Sequence, residues 1–271
     1  MSFQKITEAN SPYPDLSEKS IKEIISILNN EDKTVASAVT CAIPQISRLA
    51  EAVAEKLRGG GRLFYLGAGT SGRLGLLDAS EMPPSFGVSD QMVQGIIAGG
   101  QKAITSAVEG AEDDAETGWQ ALQERGVSSN DFVIGISASG ETPFVFHALK
   151  ACREGGIQTG ALCNNPESPI TSIAHFPVEV ITGPEALTGS TRMKAATAQK
   201  MVLNMISTSV MISLGKISGN KMINLQPLNQ KLVWRGIQII MEELGISNIN
   251  QARELLEKHG SVKKAIEAYH R

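Results

Sequence analysis

Cysteine is scarce and unpaired in this 271-residue chain. Cys41, Cys152 and Cys163 are odd in number and show no C-x-x-C or Cys/His ligand spacing. A disulfide framework and a structural metal are therefore not expected, and the pattern fits a reducing compartment with buried thiols. A charge excess is missing as well: 25 basic residues stand against 28 acidic ones, a net charge of -3. Such a balance offers no general surface for nucleic acid or for a membrane. No apolar run reaches the 18 or so residues of a spanning helix, and the first residues lack a signal-peptide core, so a cytoplasmic protein is expected. Histidine contributes little. His259 and His270 are isolated, and His147 and His175 are of the kind that usually serves structure.

What is present is organised around residues 63–81. The apolar run Leu63-Phe64-Tyr65-Leu66 breaks at Gly67-Ala68-Gly69-Thr70-Ser71-Gly72, and Leu74, Leu76 and Leu77 continue at helical spacing. This predicts strand, glycine turn and helix. Glycine lets backbone approach a ligand, and the free N–H groups and positive dipole end of a helix attract an anion. Gly69, Thr70 and Ser71 form such a cradle. G-x-G-x-x-G also opens dinucleotide-binding folds, and the same turns occur in sheets with no ligand. A second cradle follows Phe132–Ile136: Ser137, Ser139, Gly140 and Thr142, then Pro143 and a helix to about Arg153. Two hydroxyl-rich turns favour a sugar phosphate over a dinucleotide.

Residues 1–15 are polar and carry Pro12 and Pro14, which predicts an extended, unpacked arm. Two helices should follow, Ile21 to about Asn30 and about Lys33 to Arg58, the second bent at Pro44 with Ile43, Ile46, Leu49, Val53 and Leu57 inward. Strands are expected at 63–66, 93–98, 132–136, 159–163 and 176–181. Alternation with helices implies an α/β fold, a five-stranded parallel sheet covered on both faces, with ligands at the carboxyl ends of the strands. A long helix over about 191–214 is apolar enough to be core or a dimer contact. Short helices over 227–243, 247–258 and 261–269 form a tail. The resulting organisation is 1–50 for the arm and N-terminal helices, 51–220 for the α/β domain and 221–271 for the tail.

Two acidic groups lie near the cradles. Glu81 closes the first cradle's helix before Pro83-Pro84 and is backbone-pinned. Glu109, Glu112, Asp113 and Asp114 precede a helix, where acids commonly serve the dipole. The segment Gly183 to Lys194 brings Ser190, Thr191, Arg192 and Lys194 to the start of the long helix, a place for a second anion or for sugar hydroxyls.

The segments GAGTSGRLGLLDASE, GIIAGG, VEGAEDD, GISASGETP and GPEALTGSTRMKAATAQKMVLNM resemble the N-acetylmuramic acid 6-phosphate etherase family of the sugar isomerase (SIS) superfamily, over about residues 6–225. The resemblance implies a SIS-type sheet and a cytoplasmic homodimeric lyase. It would remove D-lactate from N-acetylmuramate 6-phosphate without metal or organic cofactor. The family's two functional glutamates fall on Glu81 and Glu112, with Glu112 as the C2 base and Glu81 as the acid. The implied substrate contacts are Gly69, Thr70, Ser71, Ser137, Ser139, Gly140, Thr142, Glu185, Ser190, Arg192 and Lys194. Arg192 or Lys194 would pair with the lactyl carboxylate. Glu141 stands where many relatives carry Arg and is expected to point away from the phosphate; Ala196 and Met82 replace Gly and Cys. A sugar-phosphate sensor like the glucokinase regulatory protein and an aldose-ketose isomerase are the rival readings.

Overall fold

A computed structural model describes residues 3, 5–225, 227 and 229–270. Met1, Ser2 and Gln4 of the expected arm, and Leu228 of the expected 227–243 helix, lie outside the described residues.

Five parallel strands form the sheet: β1 (Leu63–Gly67), β2 (Val93–Ile97), β3 (Phe132–Ser137), β4 (Gln158–Cys163) and β5 (Phe176–Glu179), in the order β2-β1-β3-β4-β5. All five coincide with the expected runs to within two residues. The chain steps from β1 outward to β2, then returns to β3 on the other side of β1. β1 and β3 thus flank the point where strand order reverses, the usual ligand crevice of an open α/β sheet. Gly67 is in register with Ile136 across that pair.

One face is covered by α1 (Ile21–Arg58), α2 (Gly69–Phe86) and α7 (Lys194–Ser213), whose apolar faces share one core with Tyr65, Ile134, Ile136 and Leu162. The other face carries α4 (Thr117–Glu124), α5 (Pro143–Glu154) and α6 (Pro169–Ile173), which pack on Phe64, Leu66, Val133 and Ala161. The short α3 (Lys102–Thr105) follows β2.

Three sequence expectations need correction. The two N-terminal helices are one, α1, roughly 57 Å long at 1.5 Å per residue. Ser20 starts it with a capping box to Glu23, and it runs through Pro44 because its buried face continues on both sides of the proline, from Val35, Val39 and Ala42 to Ile46, Leu49 and Val53. Ile43, expected inside, is 46% exposed, and Ala42 takes the inward place. The helix also crosses the 50/51 division without a break. Second, α2 does not close at Glu81. It continues through Pro83 and Pro84 to Phe86 and stops at Gly87, which has φ 63°. A Cβ at Gly87 would lie 2.0 Å from the Asn224 carbonyl, so only glycine fits beneath the tail.

Third, the N-terminal arm is packed. Thr7 is fully buried and exchanges two hydrogen bonds with Asn165, of 3.1 and 2.9 Å. Ser11 bonds Thr188 Oγ1 at 2.9 Å and donates to the Ala186 carbonyl at 2.6 Å. Polar sequence and two prolines do not reveal such docking, because the partners of Thr7 and Ser11 lie 158 to 177 residues away.

The tail folds as α8 (Gln230–Leu244), α9 (Ile249–His259) and α10 (Val262–Tyr269) around its own small core of Leu225, Ile237, Ile240, Leu256 and Val262.

Candidate active site

Both cradles stand side by side at the carboxyl ends of β1 and β3, strands about 4.8 Å apart. In the first, Gly67 and Gly72 are in contact: a Cβ on Gly72 would lie 2.6 Å from the Gly67 carbonyl oxygen. These glycines are required by packing. Gly69 is exposed at φ 51° with open space around it, so its backbone faces outward at the start of α2. Thr70 is half-buried beside it. Ser71 is buried and donates to Gln199 Oε1 at 2.8 Å, and Gln199 Nε2 donates to Asn164 Oδ1 at 3.0 Å. Its hydroxyl therefore ties the turn to α7.

The second cradle converges on one hydroxyl. Ser137 Oγ lies 2.8 Å from Thr142 Oγ1 and 3.3 Å from Ser139 Oγ, and accepts the Gly140 N–H at 3.0 Å. Gly140 has φ 79°, and a Cβ there would lie 2.3 Å from Ser168 Cβ, so the turn admits no side chain. Thr142 precedes Pro143, the first residue of α5. Glu141 forms an ion pair with Lys5 of the N-terminal arm, which raises the Lys5 ammonium pKa. Its carboxylate is thus directed to the arm.

Glu112 is exposed in the turn between α3 and α4 and lines a cleft of about 180 Å³ with Ala68, Gly69, Arg73, Ala98 and Glu109. Its carbonyl accepts the Phe144 N–H at 3.0 Å, joining this turn to the start of α5. Sequence reading missed Arg73, which holds the loop in place. Its guanidinium donates to the carbonyls of Ala103 at 3.0 Å, Ile104 at 3.1 Å and Ser106 at 3.3 Å.

Glu81 is elsewhere. Twelve residues beyond Gly69, it sits roughly 18 Å along α2 and lines a separate cleft of about 210 Å³ between α2 and α7, with Leu74, Leu77, Asp78, Lys200, Leu203 and Asn204. The two glutamate clefts share no lining residue. Asp78 is buried and accepts bonds from Tyr65 Oη at 3.0 Å, Asn204 Nδ2 at 2.9 Å and Ser207 Oγ at 3.0 Å. Burial pushes its carboxyl up, against those hydrogen bonds and the nearby Lys200.

At the start of α7 an internal carboxylate meets the free N–H groups. Glu185 is fully buried, and its two oxygens accept the Lys194 N–H at 3.0 Å and the Ala195 N–H at 2.9 Å. Burial raises its pKa, and those N–H groups oppose the rise. Lys194 is buried too and pairs with Glu31 of α1 at 2.5 Å; Glu31 also accepts from Tyr13 Oη at 2.7 Å. Both charged groups are engaged internally. Ser190 lies in the turn before the helix and Arg192 is exposed there; Met193 takes the cap position. The two interior thiols are inert by burial, which pushes Cys152 up to about 12 and Cys163 to about 11.

A five-stranded parallel sheet with hydroxyl-lined cradles at its reversal point is the architecture of a SIS domain, and the SIS domain family matches residues 120–209. The glucokinase regulatory protein N-terminal SIS domain family matches residues 45–153. Solved structures agree on the fold. Phosphoheptose isomerase from Neisseria gonorrhoeae superposes with a TM-score of 0.55 at 17% identity, covering 70% of this chain and 98% of that one. A phosphoheptose isomerase from Francisella tularensis gives 0.55 at 15% identity, over 72% and 99%.

Sequence likeness is far stronger to one group. N-acetylmuramic acid 6-phosphate etherase of Bacteroides thetaiotaomicron is 55% identical over 100% of this chain and 98% of its own. An etherase of the same name from Geobacillus sp. is 50% identical over 96% and 88%, and N-acetylmuramic acid 6-phosphate etherase 2 of Vibrio cholerae is 48% identical over 96% and 85%. The chain belongs to the N-acetylmuramic acid 6-phosphate etherase family.

Proposed function

We propose that this protein is a lyase that cleaves the D-lactyl ether of N-acetylmuramate 6-phosphate with water, giving N-acetylglucosamine 6-phosphate and D-lactate in the recycling of cell-wall amino sugars. The observation that carries the reading is the 55% identity to the B. thetaiotaomicron etherase across the whole chain. The twin cradles support it. A phosphate dianion suits the Ser137, Ser139 and Thr142 hydroxyls at the head of α5, and Thr70 and the Gly69 backbone are near enough to take the sugar.

In the open-chain aldehyde, the carbonyl acidifies the C2 proton and the ether at C3 lies β to it. Glu112 removes the C2 proton. The C3–O bond then breaks as Glu81 protonates the departing lactyl oxygen, leaving an unsaturated aldehyde. Water adds at C3 while Glu81 takes its proton, and Glu112 returns a proton to C2. Each positioned proton transfer typically contributes about 10² to 10⁴ in rate. The steps balance without an external oxidant or cofactor.

Within one chain Glu81 and Glu112 face different clefts, so this chemistry needs a second copy. We infer a homodimer in which Glu81 of one protomer completes the Glu112 cleft of its partner. Leu77 beside Glu81 is 51% exposed, and Met205 and Ile212 on α7 are 39% and 47% exposed, an apolar surface suited to such a contact. Phosphorylated sugars do not cross membranes unaided, which argues for a reaction in the cytoplasm. No helix among the described residues is long and apolar enough to cross a membrane.

Incubation with N-acetylmuramate 6-phosphate and assay of D-lactate tests the reading. The match to the glucokinase regulatory protein family supports one alternative, a sugar-phosphate sensor. Tight sugar-phosphate binding with no lactate released would select it.

A further inference from the structure

The cleft that holds Glu81 also holds a cation, Lys200, that makes no ion pair among the described residues. Lys200 and Asn204 lie one turn apart on α7 and face Asp78 and Glu81, which lie one turn apart on α2. Asn204 is committed to Asp78 at 2.9 Å. Lys200 makes no ion pair and no side-chain hydrogen bond among the described residues. Arg192 and Lys194, the cations that the sequence offered for the lactyl carboxylate, do not line this cleft, and the Lys194 ammonium is held by Glu31.

The lactyl group itself fixes what must stand near the acid. Its carboxylate is bonded to the same carbon as the ether oxygen, so the group that protonates that oxygen must lie beside the carboxylate. With Glu81 as that acid, the carboxylate enters a cleft that already holds two acidic side chains, where it would be repelled without a cation. Leu74, Leu77 and Leu203 line the same cleft and offer apolar contact to the lactyl methyl.

We propose that Lys200 is the specificity-determining residue that pairs with the lactyl carboxylate, in an α2/α7 subsite whose leucines take the methyl group. This rests on the etherase reading above. Ion pairing explains why an exposed lysine stands free beside Glu81, and it separates recognition of the leaving group from recognition of the phosphate.

The test uses two sugar alcohols that cannot open to an aldehyde and so cannot turn over: N-acetylmuramitol 6-phosphate, which carries the carboxylate, and N-acetylglucosaminitol 6-phosphate, which does not. Calorimetry on the full chain and its Lys200→Met variant should show the first ligand weakened about tenfold or more and the second unchanged. Lys200→Arg should restore much of the loss. Equal weakening of both ligands, or no weakening of either, overturns the assignment, as does equal affinity of the parent protein for both. D-lactate assay of the parent protein is run alongside. No lactate from the parent sinks the etherase reading and this inference with it, whereas lactate release with an indifferent Lys200→Met sinks the inference alone.

Discussion

Phe144 donates its backbone N–H to the carbonyl of Glu112 at 3.0 Å. Phe144 is in the first turn of α5, directly after the second cradle, so the turn carrying the proposed base and the cradle proposed to hold the phosphate are fixed to each other through main chain. A side-chain change at Glu112 leaves that link intact. Glu112→Gln should therefore keep phosphate binding while abolishing both lactate release and solvent-deuterium exchange at C2. Glu81→Gln should still exchange deuterium and lose about 10² to 10⁴ in lactate release. Mass spectrometry of recovered sugar decides: exchange lost in Glu81→Gln and kept in Glu112→Gln would reverse the roles.

The phosphate prediction concerns the ring of hydroxyls around Ser137. Ser139→Ala and Thr142→Val each remove a hydrogen bond to a charged group, worth roughly 1.5 to 3 kcal/mol. Affinity for N-acetylglucosamine 6-phosphate should fall at least about tenfold for each, and unphosphorylated N-acetylmuramate should be a poor substrate of the parent. Comparable turnover of both sugars would assign these turns to some other purpose.

A shared site makes a distinctive prediction for mixed dimers. When Glu81→Gln and Glu112→Gln proteins are unfolded together and refolded, half the dimers are mixed, and each mixed dimer holds one site with both glutamates intact. Activity should return to about a quarter of the parent value. Two inactive variants that stay inactive after mixing, with dimers confirmed by light scattering, would place both glutamates in one chain.

Acid stability should depend on the amino end of the sheet, away from the site. Asp131 is buried and accepts the Arg62 N–H at 2.9 Å, the Ser128 N–H at 2.9 Å and the Arg62 guanidinium at 3.1 and 2.8 Å. Burial alone would raise its carboxyl, but the Arg62 pair and the two backbone donors hold it below the usual value of 3.8. A folded-state pKa below the unfolded one gives stability that is present above about pH 4 and lost as pH falls through the folded value. Asp131→Asn should cost roughly 1 to 3 kcal/mol at neutral pH and flatten the acid limb of urea-denaturation midpoints. Parallel acid limbs for the two proteins would refute this.

Strands and cradles were legible in the sequence because their signals are local. Short apolar runs ending in Gly-Ala-Gly-Thr-Ser-Gly or Ser-Ala-Ser-Gly are read within a dozen residues. Strand order was not legible, and without it nothing showed that the cradles are neighbours at the reversal between β1 and β3. Two internal contacts of the 183–194 segment were not legible either: Glu185 accepts N–H groups from the first turn of α7, and Lys194 pairs with Glu31, 163 residues away. The end expected near Asn30 is absent because the helix is continuous from Ile21 to Arg58, which the local sequence at Asn29-Asn30 did not reveal. Lys200 drew no notice, since only the packing of α7 on α2 brings it to Glu81.

The docking of the N-terminal arm bears on how the protein is made. Thr7 waits for Asn165, and Ser11 waits for Thr188, partners 158 and 177 residues later in the chain. At ribosomal rates of about 5 to 20 residues per second, the arm spends roughly 10 to 40 s outside the ribosome before its groove exists. The arm is thus made long before it can settle, and it settles beside the loops that carry the second cradle and lead into α7.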